Sequence, residues 1–397
     1  MTKALLITPR DPLIFRDGRP FDSSLTTRIY VHRWPFPSVT AGALRTFAKK
    51  QKTDLVSKDL NKIDIRGPLP YLNNHLYVPA PADAVIQKKS DKYKLCRLLP
   101  EKMDNGCGVD LPFQLQPLLP KPSSENSNFR PDNSLIWWPL ELTIQWLLGK
   151  EEITSEQLKA CLTDLPLDER THVKINPETG VAEPGLLFST RGVDFMQQDS
   201  AGKTDGEMIE AALRVDRCDD ISFSGVIPLG AERRLAKISE CSKLSHLWDC
   251  PDEIKTALKG KNKHIKLQLA TPAIFTTGWY PDWLYKELEN CNDEKDNQIL
   301  IGTIPKTEIQ VKLIAASVKR AVPISGFSHD GNIKATKKMV PAGSVYFFEV
   351  LNPEVTTAAL IELWLHPVCG QSFYHRQSKK CNPELGADGF GLALWGI

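Results

Sequence analysis

The sequence predicts an α+β fold: two β-α-β-β-α-β units in tandem, the first enlarged by insertions and a long β-hairpin. Three observations predict it. The second half alternates strand-like and helix-like stretches in that order. Each half opens on the same short pattern. The last stretch, Gly386 to Ile397, joins a glycine-rich turn to the apolar run Leu392-Ala393-Leu394-Trp395, which reads as a buried strand. At 397 residues the chain suits two domains, which we place at 1–245 and 246–397.

In the first half, Leu5–Pro9 reads as a strand that resumes at Leu13–Phe15. Arg16-Asp17-Gly18-Arg19-Pro20 is a polar turn with two arginines, and Tyr30–Pro37 an aromatic, proline-rich loop. Ser38 or Thr40 is positioned to cap a helix running to Lys50. Its apolar face is Val39, Ala43, Leu44 and Phe47, with Arg45 and Lys49 one turn apart on another face. Short strands follow at Ile63–Ile65, Leu69–Leu72 and Leu76–Val78, then an irregular insertion over 85–135 and a helix at Trp137–Leu148. The clearest local unit is 170–191, two extended arms around Asn176-Pro-Glu-Thr-Gly180. Its first arm alternates His172 and Lys174 with Val173 and Ile175, which gives a polar, basic face. Ser222–Ile227 is a strand, Leu229–Ala236 a turn into the next, and about 240–263 a polar linker.

In the second half, Lys266–Thr276 reads as a strand and Pro281–Leu288 as a helix. Glu308–Arg320 and Met339–Val350 are strands, Val355–Leu365 a helix, and Leu392–Ile397 the final strand. That order is the ferredoxin-like plan shared by RNA-recognition modules. Leu6-Ile-Thr8-Pro9 before Ile14-Phe15 is echoed by Leu269-Ala-Thr271-Pro272 before Ile274-Phe275, which points to a divergent duplication. Tyr346 and Phe348 alternate on one strand; without the RNP1 pattern they read as core.

Hydrophobic residues at 41% and charged residues at 25% are ordinary for a globular protein, and no apolar run reaches membrane-span length. With no secretion signal at the start, the chain is expected to be cytoplasmic with reduced thiols. Its nine cysteines contain no CxxC pair. The loose sets Cys241, His246, Cys250 and His366, Cys369, His375, Cys381 match no zinc-ligand template, so no metal and no cofactor are expected. Net charge is only +2, but it is unevenly spread. Residues 1–50 carry nine basic side chains against Asp11, Asp17 and Asp22. Residues 309–345 carry Lys312, Lys319, Arg320, Lys334, Lys337 and Lys338 against Asp330. Two basic zones in a balanced chain suit a polyanion. The terminal loop lacks the P-loop pattern and does not open a helix, so it is not a nucleotide fingerprint; it reads either as a loop that offers backbone N–H groups to phosphate or as a tight turn before an ordinary terminal strand.

Leu13-Ile-Phe-Arg16-Asp17-Gly18-Arg19-Pro20-Phe21, the 170–191 hairpin, Leu229-Gly230-Ala-Glu-Arg233-Arg234, Val340–Tyr346 and Gly389-Phe390-Gly391 occur in this order along the chain. Together they resemble the RAMP superfamily of CRISPR proteins, and within it the 5′-tag-binding subunits of type III-B (Cmr) effector complexes. The resemblance implies a scaffold without catalysis. It implies partners too: the 5′ tag of the crRNA, the large Palm-domain subunit and the backbone RAMP subunits. The hairpin would serve as a thumb separating tag from guide. Candidate RNA contacts are Arg16, Arg19, Arg45, Lys49, Lys319, Arg320, Lys337 and Lys338 toward phosphates, and His172, Lys174 and Arg191 on the hairpin. Arg233 and Arg234 belong to their matching block, and Gly389 and Gly391 allow close backbone approach. The 85–135 insertion departs from the pattern.

Two rival readings remain. RAMP relatives that cut RNA place a histidine near the first helix. His32, between Tyr30 and Arg33, is positioned to act as general base of a metal-independent endoribonuclease. Cleavage by a carboxylate such as Asp22 would need a second acid or a metal set, which the sequence does not place beside it. The other rival is a protein-interaction module whose basic zones bind acidic partners.

Overall fold

The computed structural model describes the chain from Met1 to Ile397 except residues 17–30, 54, 56, 90–91, 105, 107–114, 119–129, 151–152, 199–203, 289–297, 327–333 and 371–383. The fold is mixed α and β, mostly antiparallel strands with few helices. It divides into two compact units, each discontinuous in sequence. The first comprises 1–74, 164–243 and 323–338; the second comprises 75–163, 244–322 and 339–397.

In the first unit five strands lie in the order Gly225–Pro228, Leu235–Glu240, Thr2–Pro9, Glu210–Asp216, Asp64–Leu72, each antiparallel to the next. Leu5 and Ile7 alternate inward from Thr2–Pro9 and are fully buried, facing a core that includes Leu213, Val215 and Ile238. The first helix spans Pro37–Gln51 and packs on strand Asp64–Leu72. Its start differs from the expected cap. Pro37 occupies the first turn, where a missing N–H costs nothing, and Thr40 Oγ1 donates to Pro37 O at 3.0 Å. The face it buries is Ala41, Leu44 and Ala48, while Val39, Ala43 and Phe47 are half-buried. The two short strands expected between residues 63 and 72 are one, bent by neither of its prolines into separate elements.

In the second unit the order is Leu284–Leu288, Gln298–Thr303, Gln310–Ser317, Val345–Val350, His264–Leu269, Ala393–Gly396, again antiparallel at every step. The expected helix at Pro281–Leu288 is therefore a strand. Its apolar spacing suited a helical face, but Leu284 pairs with Gly302, where a Cβ would lie 2.3 Å from Trp283 O. Cross-strand fit overrides local pattern here. The expected helix at Val355–Leu365 is a 3-10 segment, Thr357–Leu363, and that at Trp137–Leu148 is a strand Trp137–Pro139 leading into helix Leu140–Leu147. The 240–263 linker holds a 3-10 turn and helix Asp252–Leu258. The 85–135 insertion is less irregular than expected. Ala84–Lys89 pairs with Lys92–Arg97, and Leu99–Lys102 with Leu115–Leu118. Tyr346 and Phe348 are fully buried, as core should be.

Candidate nucleic-acid interface

The long hairpin is formed by Leu167–Ile175 and Ala182–Val193, closed by the turn read in the sequence. Asn176 Oδ1 accepts from Glu178 N at 2.8 Å and Thr179 N at 3.2 Å, and Gly180 N donates to Asn176 O at 2.9 Å. Register sets two faces. Val173 pairs with Leu187 and His172 with Phe188. The Val173 face is open to solvent, with Val173 44% exposed, Ile175 50% and Leu187 58%, while His172 and Phe188 on the other face are half-buried. His172 stacks on Phe188, with centroids 5.1 Å apart and planes at 20°, and its Nε2 is 2.8 Å from Thr190 Oγ1.

The hairpin's cations are all neutralised by its own carboxylates. Lys174 Nζ lies 2.9 Å from Glu183. Arg191 engages Glu169 through both Nε and Nη2 at 2.9 Å. Arg170 pairs with Asp168 at 2.7 Å. Four carboxylates (Asp168, Glu169, Glu178, Glu183) stand against three cations, so 167–193 is acidic by one charge. The basic face expected of His172 and Lys174 is thus electrically silent. The register shift between Ala182 and Leu187 is what sets Glu169 opposite Arg191, and counting outward from the turn would put Phe188 there instead.

At the hairpin's root three segments of the first unit meet. Leu13 and Val193 exchange backbone hydrogen bonds at 3.0 and 2.7 Å. The turn 229–234 packs beside them: Ala231 N donates to Ile14 O at 2.8 Å, and a Cβ on Gly230 would lie 2.5 Å from that same oxygen. Arg10 N donates to Leu235 O at 2.9 Å. Backbone contacts therefore bring the stretches that carry Arg10 and Arg16 against the one that carries Arg233 and Arg234, though more than two hundred residues separate them in sequence. Arg233 is exposed, and the buried Nε of Arg234 has no acceptor. Sequence reading placed Arg10 in the basic zone but did not single it out.

The other expected cations fall into two groups. Arg45 on the first helix spends Nη2 on Ile63 O at 3.1 Å, and Lys49 is half-buried on the same helix. Arg19 lies outside the described residues. Lys319 and Arg320, and further on Lys334, Lys337 and Lys338, are exposed and make no side-chain ion pair with described residues. Neighbouring protein mass pushes the Lys319 pKa down, although the residue is exposed. Lys337 and Lys338 lie on a two-stranded ribbon formed by Val322–Ile324 and Lys337–Met339, and Lys334 N donates to Gly326 O at 2.7 Å.

A family model described as CRISPR-associated protein (Cas_Cmr3) matches residues 5–397. The chain belongs to that family. It is thus a RAMP-type subunit of the type III-B Cmr system. Solved structures similar to it include a chain from a type III-B Cmr-beta complex bound to cognate target RNA and AMPPnP, at 16% identity, TM-score 0.46, covering 87% of this chain and 86% of that one. A second Cmr-beta chain, from a complex bound to cognate target RNA, gives 15% identity and TM-score 0.45 over 87% and 86%. A chain of the Csm3-Csm4 subcomplex of the type III-A interference complex gives 10% identity and TM-score 0.34 over 87% and 92%. None of the curated protein sequences compared with the chain matches it.

In this Cas_Cmr3 family member the terminal glycine loop turns inward. Gly389 N donates to Gly386 O, Phe390 N to Leu385 O and Gly391 N to Pro272 O, at 3.1, 3.2 and 2.8 Å. Gly389 and Gly391 are buried, and the close approach that Gly391 permits is to the Cys369 thiol. The loop's N–H groups are therefore spent on the protein rather than bared for phosphate. His32 packs its ring on Phe36 at 4.3 Å, and its backbone N–H donates to Phe15 O. Asp22 lies outside the described residues, as do His375 and Cys381. Among the described residues no three His, Cys, Asp or Glu side chains gather into a metal-ligating group. Burial pushes the Cys250 and Cys369 thiols up to about 12. No helix among the described residues is long and apolar enough to cross a membrane.

Proposed function

We propose that this subunit is a non-catalytic RNA-binding scaffold that holds the 5′ repeat-derived tag of the crRNA and docks on the large Palm-domain subunit and the backbone RAMP subunits. The observation that carries the RNA contact is the division of its cations. Those of the hairpin are neutralised by Glu169, Glu183 and Asp168, whereas Arg233 and Arg234 at the hairpin root and Lys337 and Lys338 on the ribbon have no acidic partner among the described residues. Exposed arginines and lysines without carboxylate partners suit a phosphate backbone, which gives affinity and salt dependence but no sequence information. The tag's identity would be read from splayed bases at the hairpin, where His172 and Phe188 already stack. We assign both halves to the ferredoxin-like plan. In support, strands taken as first to fourth in chain order lie in space as 4-1-3-2 in the first unit, from Leu235–Glu240 to Asp64–Leu72, and in the same order in the second, from Ala393–Gly396 to Gln310–Ser317.

The test is to titrate the purified chain, alone and with its Palm-domain partner, against short RNAs with and without the 5′ tag, and to run the RNA on a gel afterwards. Tag-dependent binding of intact RNA is expected. Equal binding with and without a tag would reduce the reading to a basic surface. Cleavage lost in His32→Ala would replace it with the endoribonuclease.

A further inference from the structure

The turn between strands Gly225–Pro228 and Leu235–Glu240 holds two consecutive non-glycine residues in the left-handed region, Glu232 at φ 57° and Arg233 at φ 52°. L-residues avoid that region because Cβ crowds the carbonyl, and hairpin turns that need it favour Asn-Gly or Asp-Gly. The same turn does use glycine at 230, where the Ile14 carbonyl leaves no room for a Cβ. Glycine thus stands where packing demands it, while charged side chains stand where glycine would relieve strain. Retained strain of this kind marks function.

A second observation comes from Arg234. Its backbone is fixed, with its carbonyl accepting from Leu229 N at 2.8 Å and its N–H donating to Ala231 O at 3.4 Å. Its side-chain Nε is buried, yet finds no acceptor among the described residues. A permanently charged group with an unmet buried donor is costly, and an anion seated there would meet it. Asp11 Oδ2 accepts from Leu235 N at 3.2 Å, and among the described residues no hydrogen bond joins this carboxylate to Arg234 Nε. Arg233, next to Arg234, is exposed and has no acidic partner among the described residues.

We infer that the turn 229–234 is a preformed seat for one phosphodiester of single-stranded RNA at the root of the hairpin. Arg234 supplies the buried donor, and the left-handed backbone of Glu232 and Arg233 holds the Arg233 guanidinium outward. Arg233 and Arg234 are the binding residues; the Glu232 side chain takes no part, and its left-handed backbone is one that glycine adopts as readily. The inference rests on the RNA-binding reading above.

The experiment titrates a fluorescent single-stranded RNA carrying the repeat-derived 5′ end against the full chain at several salt concentrations, and records thermal melting in parallel. Arg233→Gly and Arg234→Gln should each weaken binding about tenfold and lower the slope of log K against log salt by about 1. Arg233→Gly should melt no lower than the parent, because it removes strain. Arg233→Lys should restore the slope, and Glu232→Gly should bind as the parent does. Parent-like affinity and slope in both arginine variants would overturn the seat while leaving RNA binding intact. A Glu232→Gly variant as weak as Arg233→Gly would also overturn it, because the effect would then be local unfolding. A parent chain that binds no RNA would overturn the functional reading and the seat together.

Discussion

Lys266 Nζ lies 3.3 Å from Asp83 Oδ2, with the lysine side chain 6% and the aspartate 0% exposed. The pair belongs to a network. Trp146 Nε1 donates to the other Asp83 oxygen at 2.8 Å, the Arg97 guanidinium sits 3.5 Å over the Trp146 ring, and Arg97 Nη1 donates to Trp146 O at 2.9 Å. It links strand His264–Leu269 to the hairpin and helix of residues 75–163, so those residues form one unit with the second half of the chain. Asp83→Asn would leave a buried ammonium unpaired and should destabilise the second unit by about 3–5 kcal/mol. Replacing both partners, Asp83→Leu with Lys266→Met, should cost far less, because no charge remains buried. Denaturant unfolding of the full chain measures both; equal losses in the single and double variants would refute the argument.

Acid should act through Asp216. Burial alone would raise this carboxyl's pKa. The Thr2 hydroxyl at 2.6 Å, Arg66 at 3.0 Å and Arg214 at 3.3 Å outweigh burial and hold it below its ordinary value. A folded-state value below the unfolded one means the stabilisation is complete above about pH 4 and is lost as pH falls through the lower, folded value. Asp216→Asn should therefore be less stable than the parent at neutral pH, and its stability should fall less steeply below about pH 4. Parallel slopes for the two proteins in that window would count against the assignment.

How much of this was legible follows the range of the interactions. The 170–191 hairpin could be read because Asn176 and Gly180 build its turn locally, and the first helix because a 3.6-residue apolar period marks it, although Pro37 and not a Ser38 or Thr40 cap begins it. Strand Leu284–Leu288 was misread because what decides it is Gly302 on another strand. The same limit applies to the site. Lys174 and Arg191 look like phosphate ligands in sequence, and only cross-strand register reveals Glu183 and Glu169 beside them. Arg10 and Arg234 gain meaning only when strand pairing brings positions 10 and 235 together. The terminal glycines signalled a close approach correctly, but the sequence does not say to what.

That approach can be tested. Gly391 has φ 69°, and a Cβ there would lie 2.6 Å from the buried Cys369 Sγ. Gly391→Ala should cost about 3 kcal/mol, combining a left-handed alanine with a clash against a side chain that has nowhere to go. Gly278 provides the control. Its φ is 101° but nothing lies within 4 Å of a built Cβ, so Gly278→Ala should show backbone strain without the clash, about 1–2 kcal/mol. Equal costs in the two variants would mean the Cys369 contact relaxes freely.

The division of the cations makes the sharpest functional prediction. Lys174 and Arg191 already satisfy carboxylates on their own hairpin, so Lys174→Ala and Arg191→Ala each remove a charge that is locally cancelled. They should change RNA affinity less than about threefold and leave the salt slope nearly unaltered. Lys337 and Lys338 have no acidic partner among the described residues, so Lys337→Ala with Lys338→Ala should weaken binding uniformly across RNA sequences and lower the slope by up to about 2. Glu183→Gln adds a check with the opposite sign. It frees Lys174, so affinity should rise at low salt if RNA passes along that face of the hairpin. A salt slope that falls with Lys174→Ala but not with the lysine pair would reverse the assignment and place the phosphate path on the hairpin instead of the ribbon.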